Sequence, residues 1–311
     1  MKLSGLLLLL SVLTSQDSTG RFQVEAGPVL EGHKEAVLSV AFSRDGKRAA
    51  TGGADKHARV WEVGSGDEAQ DVFVMWAVTG IAISENGKQL VTGSWGGQIW
   101  EIATGNQAVH LESHTGFVTC AALSPNGKLL ATGGLDATVK LWDPTTWQEV
   151  KSLSHGEQLN CLAFSHDGKQ LASGGDSMLK IWEVGTGKET KGIKSGHVSS
   201  VCFDPDSKWL ATASSDKSVK IRQAEDLAPA RTLAYDDRVL ALAVTDDGKF
   251  LGTAGADKTA RIWNTATWKE EAVVKGHEGT VTCLAFSLDG KLLITGSEDK
   301  TARIWKLSAK P

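Results

Sequence analysis

Residues 276–305 read GHEGTVTCLAFSLDGKLLITGSEDKTARIW. Within them Val281 to Ser287 is a β-rich run, Asp289-Gly290 makes a tight hairpin turn, and Leu292 to Thr295 returns as a second strand. A Gly/Ser/Asp turn then leads into a third strand, Thr301 to Trp305. Between units of this kind, segments such as Glu271 to Lys275 supply a fourth. Apolar residues do not alternate cleanly in the first two strands, as expected when both faces of a small sheet pack against neighbours.

Working outward, the same pattern recurs along the chain. Trp61, Trp100, Trp142, Trp182, Trp263 and Trp305 are spaced 39, 42, 40, 81 and 42 residues apart, and Arg222 falls where the 81-residue interval should divide. Asp45-Gly46, Asn86-Gly87, Asn126-Gly127, Asp167-Gly168, Asp206-Ser207, Asp247-Gly248 and Asp289-Gly290 repeat at the same period, each between two apolar runs. Seven all-strand repeats of about 41 residues predict four-stranded blades arranged radially. They also explain a composition of 11 Trp and 34 Gly against 6 Pro: six Trp are one position repeated, and many Gly belong to the turns.

These residues resemble WD40 repeats from about Phe22 to Trp305, or 284 of 311 residues. That family's hallmark is a Gly-His before the first strand, a Ser/Thr in the second, an Asp in the next turn and a Trp in the third. Here His33, Thr51, Asp55 and Trp61 match it, as do His114, Thr132, Asp136 and Trp142 in repeat three. His155, Ser173, Asp176 and Trp182 match in repeat four with a turn one residue shorter, and His277, Thr295, Asp299 and Trp305 in repeat seven. An indole donor, a hydroxyl that donates and accepts, a neutral imidazole and a carboxylate can form one satisfied chain. A Ser/Thr, a His and an Asp would suit a hydrolase triad, but their recurrence with a Trp at one structural position favours a framework.

The resemblance implies an all-β, seven-bladed WD40-type propeller with repeats at about 32–72, 73–113, 114–154, 155–195, 196–235, 236–276 and 277–311. Residues 22–30 precede the first Gly-His with no local partner, so they are expected to be the outer strand of the last blade, closing the ring and removing its open edges. Pro28 is tolerable there because one side of an outermost strand faces solvent. At the N-terminus, Lys2, the apolar run Leu6 to Leu13 and small or polar residues up to Ser18 have the layout of a secretory signal, so residues 1–18 read as a signal peptide and 19–311 as one propeller.

Departures from the repeat mark candidate sites. Arg222 replaces the Trp in repeat five, His197 stands three residues closer to its first strand than its counterparts, and Tyr235 replaces the His in repeat six. These read as weaker blades rather than sites. Repeat two has Val74 at the His position, Trp76 in the same loop, and Ser94-Trp95-Gly96-Gly97 as a shortened second turn without the Asp. Repeat three places Phe117 just before its first strand and Leu135 just before its Asp. In this fold both loops open on the top face, so Trp76, Trp95, Phe117 and Leu135 should form one apolar patch suited to a protein or peptide partner. The alternative is that the two Trp fold inward in place of the missing quartet. Lys56, Lys217, Lys258 and Lys300 each follow a turn Asp and read as solvated turn lysines.

A net charge of −4 gives no electrostatic footprint for nucleic acid, and no apolar stretch approaches the roughly 18 residues that span a bilayer. His110 and His114 lie in a strand-to-loop segment and make no convincing metal pair, and no phosphate-binding Gly loop occurs. Cys120, Cys161 and Cys283 recur at one first-strand position and Cys202 two residues later in another blade, which suits small buried core residues rather than disulfides. The sequence therefore predicts an exported, non-catalytic scaffold without cofactor or metal. An intracellular scaffold is the alternative should the N-terminus not be a signal, and an enzyme using the channel or top pocket is a second.

Overall fold

The Asp/Asn-Gly register marks the tip of the first hairpin of each blade. In blade one Asp45 Oδ1 accepts from Ser43 Oγ at 2.7 Å and from the Lys47 N–H at 3.0 Å, while Ser43 Oγ accepts from the Arg48 N–H at 2.9 Å. The same bracket recurs as Ser84–Asn86, Ser124–Asn126, Ser165–Asp167, Thr245–Asp247 and Ser287–Asp289. The following glycines have φ between 67° and 70°, where a side chain is disfavoured. Blade five departs: Ser207 takes φ 55°, and Asp204 replaces the hydroxyl and accepts from the Trp209 N–H at 2.8 Å.

The computed structural model describes residues 22–309; the expected signal, residues 1–18, lies outside them. The described residues form seven antiparallel four-stranded sheets. Blade one is Val37–Phe42, Arg48–Gly53, His57–Glu62 and Glu68–Phe73. First strands of neighbouring blades contact one another around the ring axis. Blade seven takes three strands from Val281–Phe286, Leu292–Ser297 and Thr301–Ala309, and its outer strand is Phe22–Glu31. That strand pairs antiparallel from Phe22↔Ala309 to Glu31↔Thr301, with a register shift between Ala26 and Val29 that absorbs Gly27-Pro28. The ring is thus closed by the N-terminal strand.

The core lies between blades. Ala50, Ala58 and Val60 of blade one pack with Ile81, Ile83, Leu90 and Trp100 of blade two, and comparable clusters fill the other junctions. Blade two is the slightest, with a first strand of only Gly80–Ile83. It lacks the first-strand bulge that its six counterparts carry. Among the described residues no helix is long and apolar enough to cross a membrane.

Candidate functional site

The loops into the first strands and the turns between second and third strands share one end of the ring, the top. In blade one Trp61 Nε1 donates to Thr51 Oγ1 at 2.9 Å, Thr51 meets His33 Nε2 at 2.7 Å, and His33 Nδ1 meets Asp55 at 2.9 Å. Blade three repeats this with Trp142, Thr132, His114 and Asp136 at 2.7, 2.7 and 2.8 Å. Blade seven does so with Trp305, Thr295, His277 and Asp299 at 2.9, 2.8 and 2.8 Å. With Nδ1–H donating to the carboxylate, the Thr hydroxyl donates to the unprotonated Nε2 and accepts from the indole, so every donor is used once. Burial, opposed by the adjacent carboxylates, holds His33, His114 and His277 below the usual imidazole range, which keeps them neutral. Burial works against the Asp299 carboxylate, yet hydrogen bonds from Thr301, His277 and the Glu278 N–H outweigh it and hold its pKa at about 2.

Blade four corrects the expected quartet. Trp182 and His155 both bond Ser173, each at 2.8 Å, but His155 does so through Nδ1, and Asp176 is not its partner. The turn is one residue too short to bring Asp176 back over the ring, so Glu157 caps it instead, accepting from the Ser177 and Met178 N–H groups at 2.8 and 2.7 Å. Asp176 instead meets Asn160 of its own blade's first strand and the displaced His197 at the entry to blade five, each at 3.1 Å.

In blade six Tyr235 Oη donates to Thr253 Oγ1 at 2.8 Å, taking the place of the imidazole, and Trp263 Nε1 reaches the same oxygen at 3.3 Å. In blade five Arg222 is buried with only its Nη1 engaged, on the Leu227 carbonyl at 3.2 Å, and its Nε has no partner. In blade two Trp100 Nε1 still bonds Thr92 at 3.0 Å, with buried Val74 where the imidazole would stand.

Trp76, Trp95, Phe117 and Leu135 come together on the top face. Phe117 is flanked edge-to-face by Trp76 at 5.6 Å and Trp95 at 5.1 Å. Trp95 and Phe117 form a β-bridge between blades two and three, and the Leu135 N–H donates to the Phe117 carbonyl at 2.8 Å. Trp76, Trp95 and Leu135 remain 44%, 47% and 41% exposed, so the two Trp do not fold inward. The backbone beneath them is left-handed at Met75 (φ 54°), Gly96 and Gly97 (both φ 81°). A Cβ on Gly96 would lie 2.6 Å from His110 Nε2, which donates to the Trp95 carbonyl at 3.2 Å. His110 thus braces the turn that displays Trp95.

Phe73 and Met75, 59% and 63% exposed, lie just before Trp76 in the chain, with Phe73 packed edge-to-face on His57 of blade one, and were not anticipated. The signal was present: Val72 to Trp76 is an unbroken apolar run, and period-two alternation puts Phe73 and Met75 opposite buried Val72 and Val74. Lys56, Lys217, Lys258 and Lys300 all occupy the left-handed position of their turns, with φ between 66° and 72°. The four cysteines are free, and burial pushes the thiols of Cys120, Cys202 and Cys283 up to about 12. At the opposite end of the ring a chamber of about 700 Å³ opens, rimmed by the Arg44–Glu85 ion pair and by His166 facing Asp246.

Comparison with known proteins agrees with this architecture. A family model described as IFT122 first beta-propeller matches residues 77–269, and one described as WD domain, G-beta repeat matches 26–62 and 268–306. The chain is 32% identical over 208 residues to Periodic tryptophan protein 2 homolog of Dictyostelium discoideum, covering 63% of this chain and 22% of that one. It is 26% identical over 240 residues to U3 small nucleolar RNA-associated protein 15 homolog of Xenopus tropicalis, covering 75% and 46%. It is 31% identical over 261 residues to Small ribosomal subunit protein RACK1y of Oryza sativa subsp. japonica, covering 76% and 77%. The chain therefore spans less than half the length of the first two relatives and about three quarters of the third. Repeat period, closed seven-bladed ring and matched models agree: the chain belongs to the WD40-repeat family.

Proposed function

We propose that this chain is a non-catalytic binding platform that captures a protein or peptide partner on its top face, through the aromatic patch of blades two and three. One observation carries the reading. Two Trp side chains are held almost half exposed beside left-handed backbone at Met75, Gly96 and Gly97, an arrangement that suits a contact surface. The His, Asp and Thr side chains that could mimic a hydrolase triad are engaged with one another and with Trp indoles. A closed ring with short loops loses little freedom on binding, which leaves more of the contact energy as affinity.

Two of the relatives bear names tied to a ribosomal subunit and to a small nucleolar RNA, which supports an intracellular scaffold within an RNA–protein assembly. With a net charge of −4, a protein component is the better direct partner than the nucleic acid. Four free thiols suit a reducing compartment. The leader-like layout of residues 1–18 favours export as a second reading. N-terminal sequencing of the protein recovered from fractionated cells separates them: an intact leader on cytosolic protein supports the first, cleavage near residue 18 the second.

The patch is tested by partner capture with the Trp76→Ala/Trp95→Ala variant. Because both residues are exposed, the thermal midpoint should stay near that of the unaltered protein while affinity for the captured partner falls at least tenfold. Equal recovery of the same partner by both proteins would remove the patch as the contact surface.

A further inference from the structure

A second pair of positions repeats in the blades besides the Trp framework. Two residues before the third-strand Trp stands a base, and opposite that Trp on the fourth strand stands a glutamate: Arg59 with Glu68, Lys140 with Glu149, Lys180 with Glu189, and Arg261 with Glu270. All four are ion pairs, the last three at 3.0, 2.8 and 2.8 Å. Where the glutamate is lost in blades two and five, the base is lost with it or turns to another acid. Blade two is neutral at both positions, with Gln98 and Gln107. Blade five has Pro229 opposite Arg222, and its Lys220 turns to Asp216 at 2.6 Å.

Blade seven, like blade five, keeps the base without the fourth-strand acid, but among the described residues its base finds no other acid in exchange. Its outer strand is the N-terminal one, which places Ala26 opposite Trp305 where the other blades have glutamate. Val29 faces Arg303, where blade one has Asp71 as a second partner of Arg59. Among the described residues no carboxylate forms an ion pair with Arg303; its buried Nε is without a partner just as those of Arg59 and Arg261 are, so what sets it apart is the missing acid. The guanidinium nevertheless holds the pose of its counterpart: Arg303 Nη1 lies 3.3 Å from a Cβ built on Gly276, as Arg59 Nη1 does from one on Gly32. Ala26 is exposed, so the space that the glutamate fills elsewhere opens to solvent, and Val29 beside it is 40% exposed.

We propose that Arg303 is a receptor for an external carboxylate, supplied by an acidic side chain or the C-terminus of a protein partner and seated where Glu68 and Glu270 sit in their blades. A planar guanidinium already fixed in place suits two-point recognition of a carboxylate. The site is on blade seven, away from the aromatic patch, and stands or falls independently of it.

The test follows the Arg Nε–Hε NMR signals of the whole protein during titration at constant ionic strength. The probes are N-acetylglutamate α-amide for a side-chain acid, N-acetylleucine for a terminal carboxylate and N-acetylglutamine amide as the neutral control. The Arg303 signal, assigned by its loss in Arg303→Gln, should shift saturably with one or both acids and not with the amide, while those of Arg59 and Arg261 stay in place. Which acid binds more tightly names the source. Ala26→Glu, which supplies the acid from within, should move the Arg303 signal in advance and abolish the response. No shift at Arg303, an equal shift at Arg59, or an undiminished response in a folded Ala26→Glu protein would each overturn the proposal.

Discussion

Replacing Trp142 separates the two things a framework Trp contributes. Its side chain is 2% exposed and packs with Ile99, Leu111, Leu130 and Trp147 between blades two and three, while Nε1 donates to Thr132 at 2.7 Å. Trp142→Ala removes both contributions and should cost about 3 to 5 kcal/mol, as large-to-small changes at a buried aromatic do. Trp142→Phe keeps most of the apolar contact but strips the Thr132 hydroxyl of its donor, which should cost about 1 to 3 kcal/mol. Blade six supplies an internal control. Trp263 is only partly buried, its bond to Thr253 is 3.3 Å, and Tyr235 still donates to that hydroxyl, so Trp263→Phe should cost less than Trp142→Phe. Denaturant unfolding followed by far-ultraviolet circular dichroism at neutral pH reads all three without relying on Trp fluorescence. A loss below about 1 kcal/mol for Trp142→Ala, or a Trp263→Phe cost at or above that of Trp142→Phe, would refute the reasoning.

Deleting residues 22–31 removes the outer strand of blade seven and leaves Thr301–Ala309 as an open edge, so the cooperative thermal transition should shift sharply downward; an unchanged melting curve would refute closure by that strand. Acidification should destabilise the ring in two stages. Buried His33, His114, His155 and His277 titrate below their unfolded value of 6.5, so the unfolded chain binds more protons and stability falls as pH drops below about 6.5; Asp299, held at about 2 against 3.8, adds a second loss below about pH 4. A thermal midpoint that stays flat between about pH 7 and pH 5 would contradict the first stage.

Much of this was legible because the ring states its framework repeatedly. The Asp/Asn-Gly tips and the Trp spacing locate hairpins and third strands, and strand register follows from them. The patch was legible for the complementary reason: Trp76 and Trp95 stand where a repeat should have His and Asp turns. What could not be read is which side chain reaches over a top turn. Asp176 keeps its place in the motif, but one missing turn residue redirects it toward His197, and Glu157, outside the motif, caps in its stead. Likewise nothing in the period shows that the Tyr235 hydroxyl lands where an imidazole nitrogen belongs, since that depends on the reach of a longer side chain across a loop.

Seven copies of one blade offer a physical criterion for separating structural drift from function, because each position has six controls. A change compensated inside its own blade is structural: Glu157 caps for Asp176, Tyr235 bonds for a histidine, and the neutral residues Gln98 and Gln107 replace both members of the charge pair together. A change that is uncompensated and buried is a stability defect. Arg222, with its Nε unpartnered and burial holding its pKa below the usual guanidinium value, makes blade five the expected weak point of the ring. A change that is uncompensated and open to solvent is different, since water rather than the core bears the cost and an outside group can complete it. Among the described residues, two departures from the repeat meet that condition: the aromatic patch over blades two and three, and the arginine of blade seven whose acid is missing. They lie on separate blades and differ in chemistry, one apolar and one cationic. A partner engaging both would need an apolar anchor and a carboxylate presented from different parts of its surface, so charge-neutral partners should depend on the patch alone.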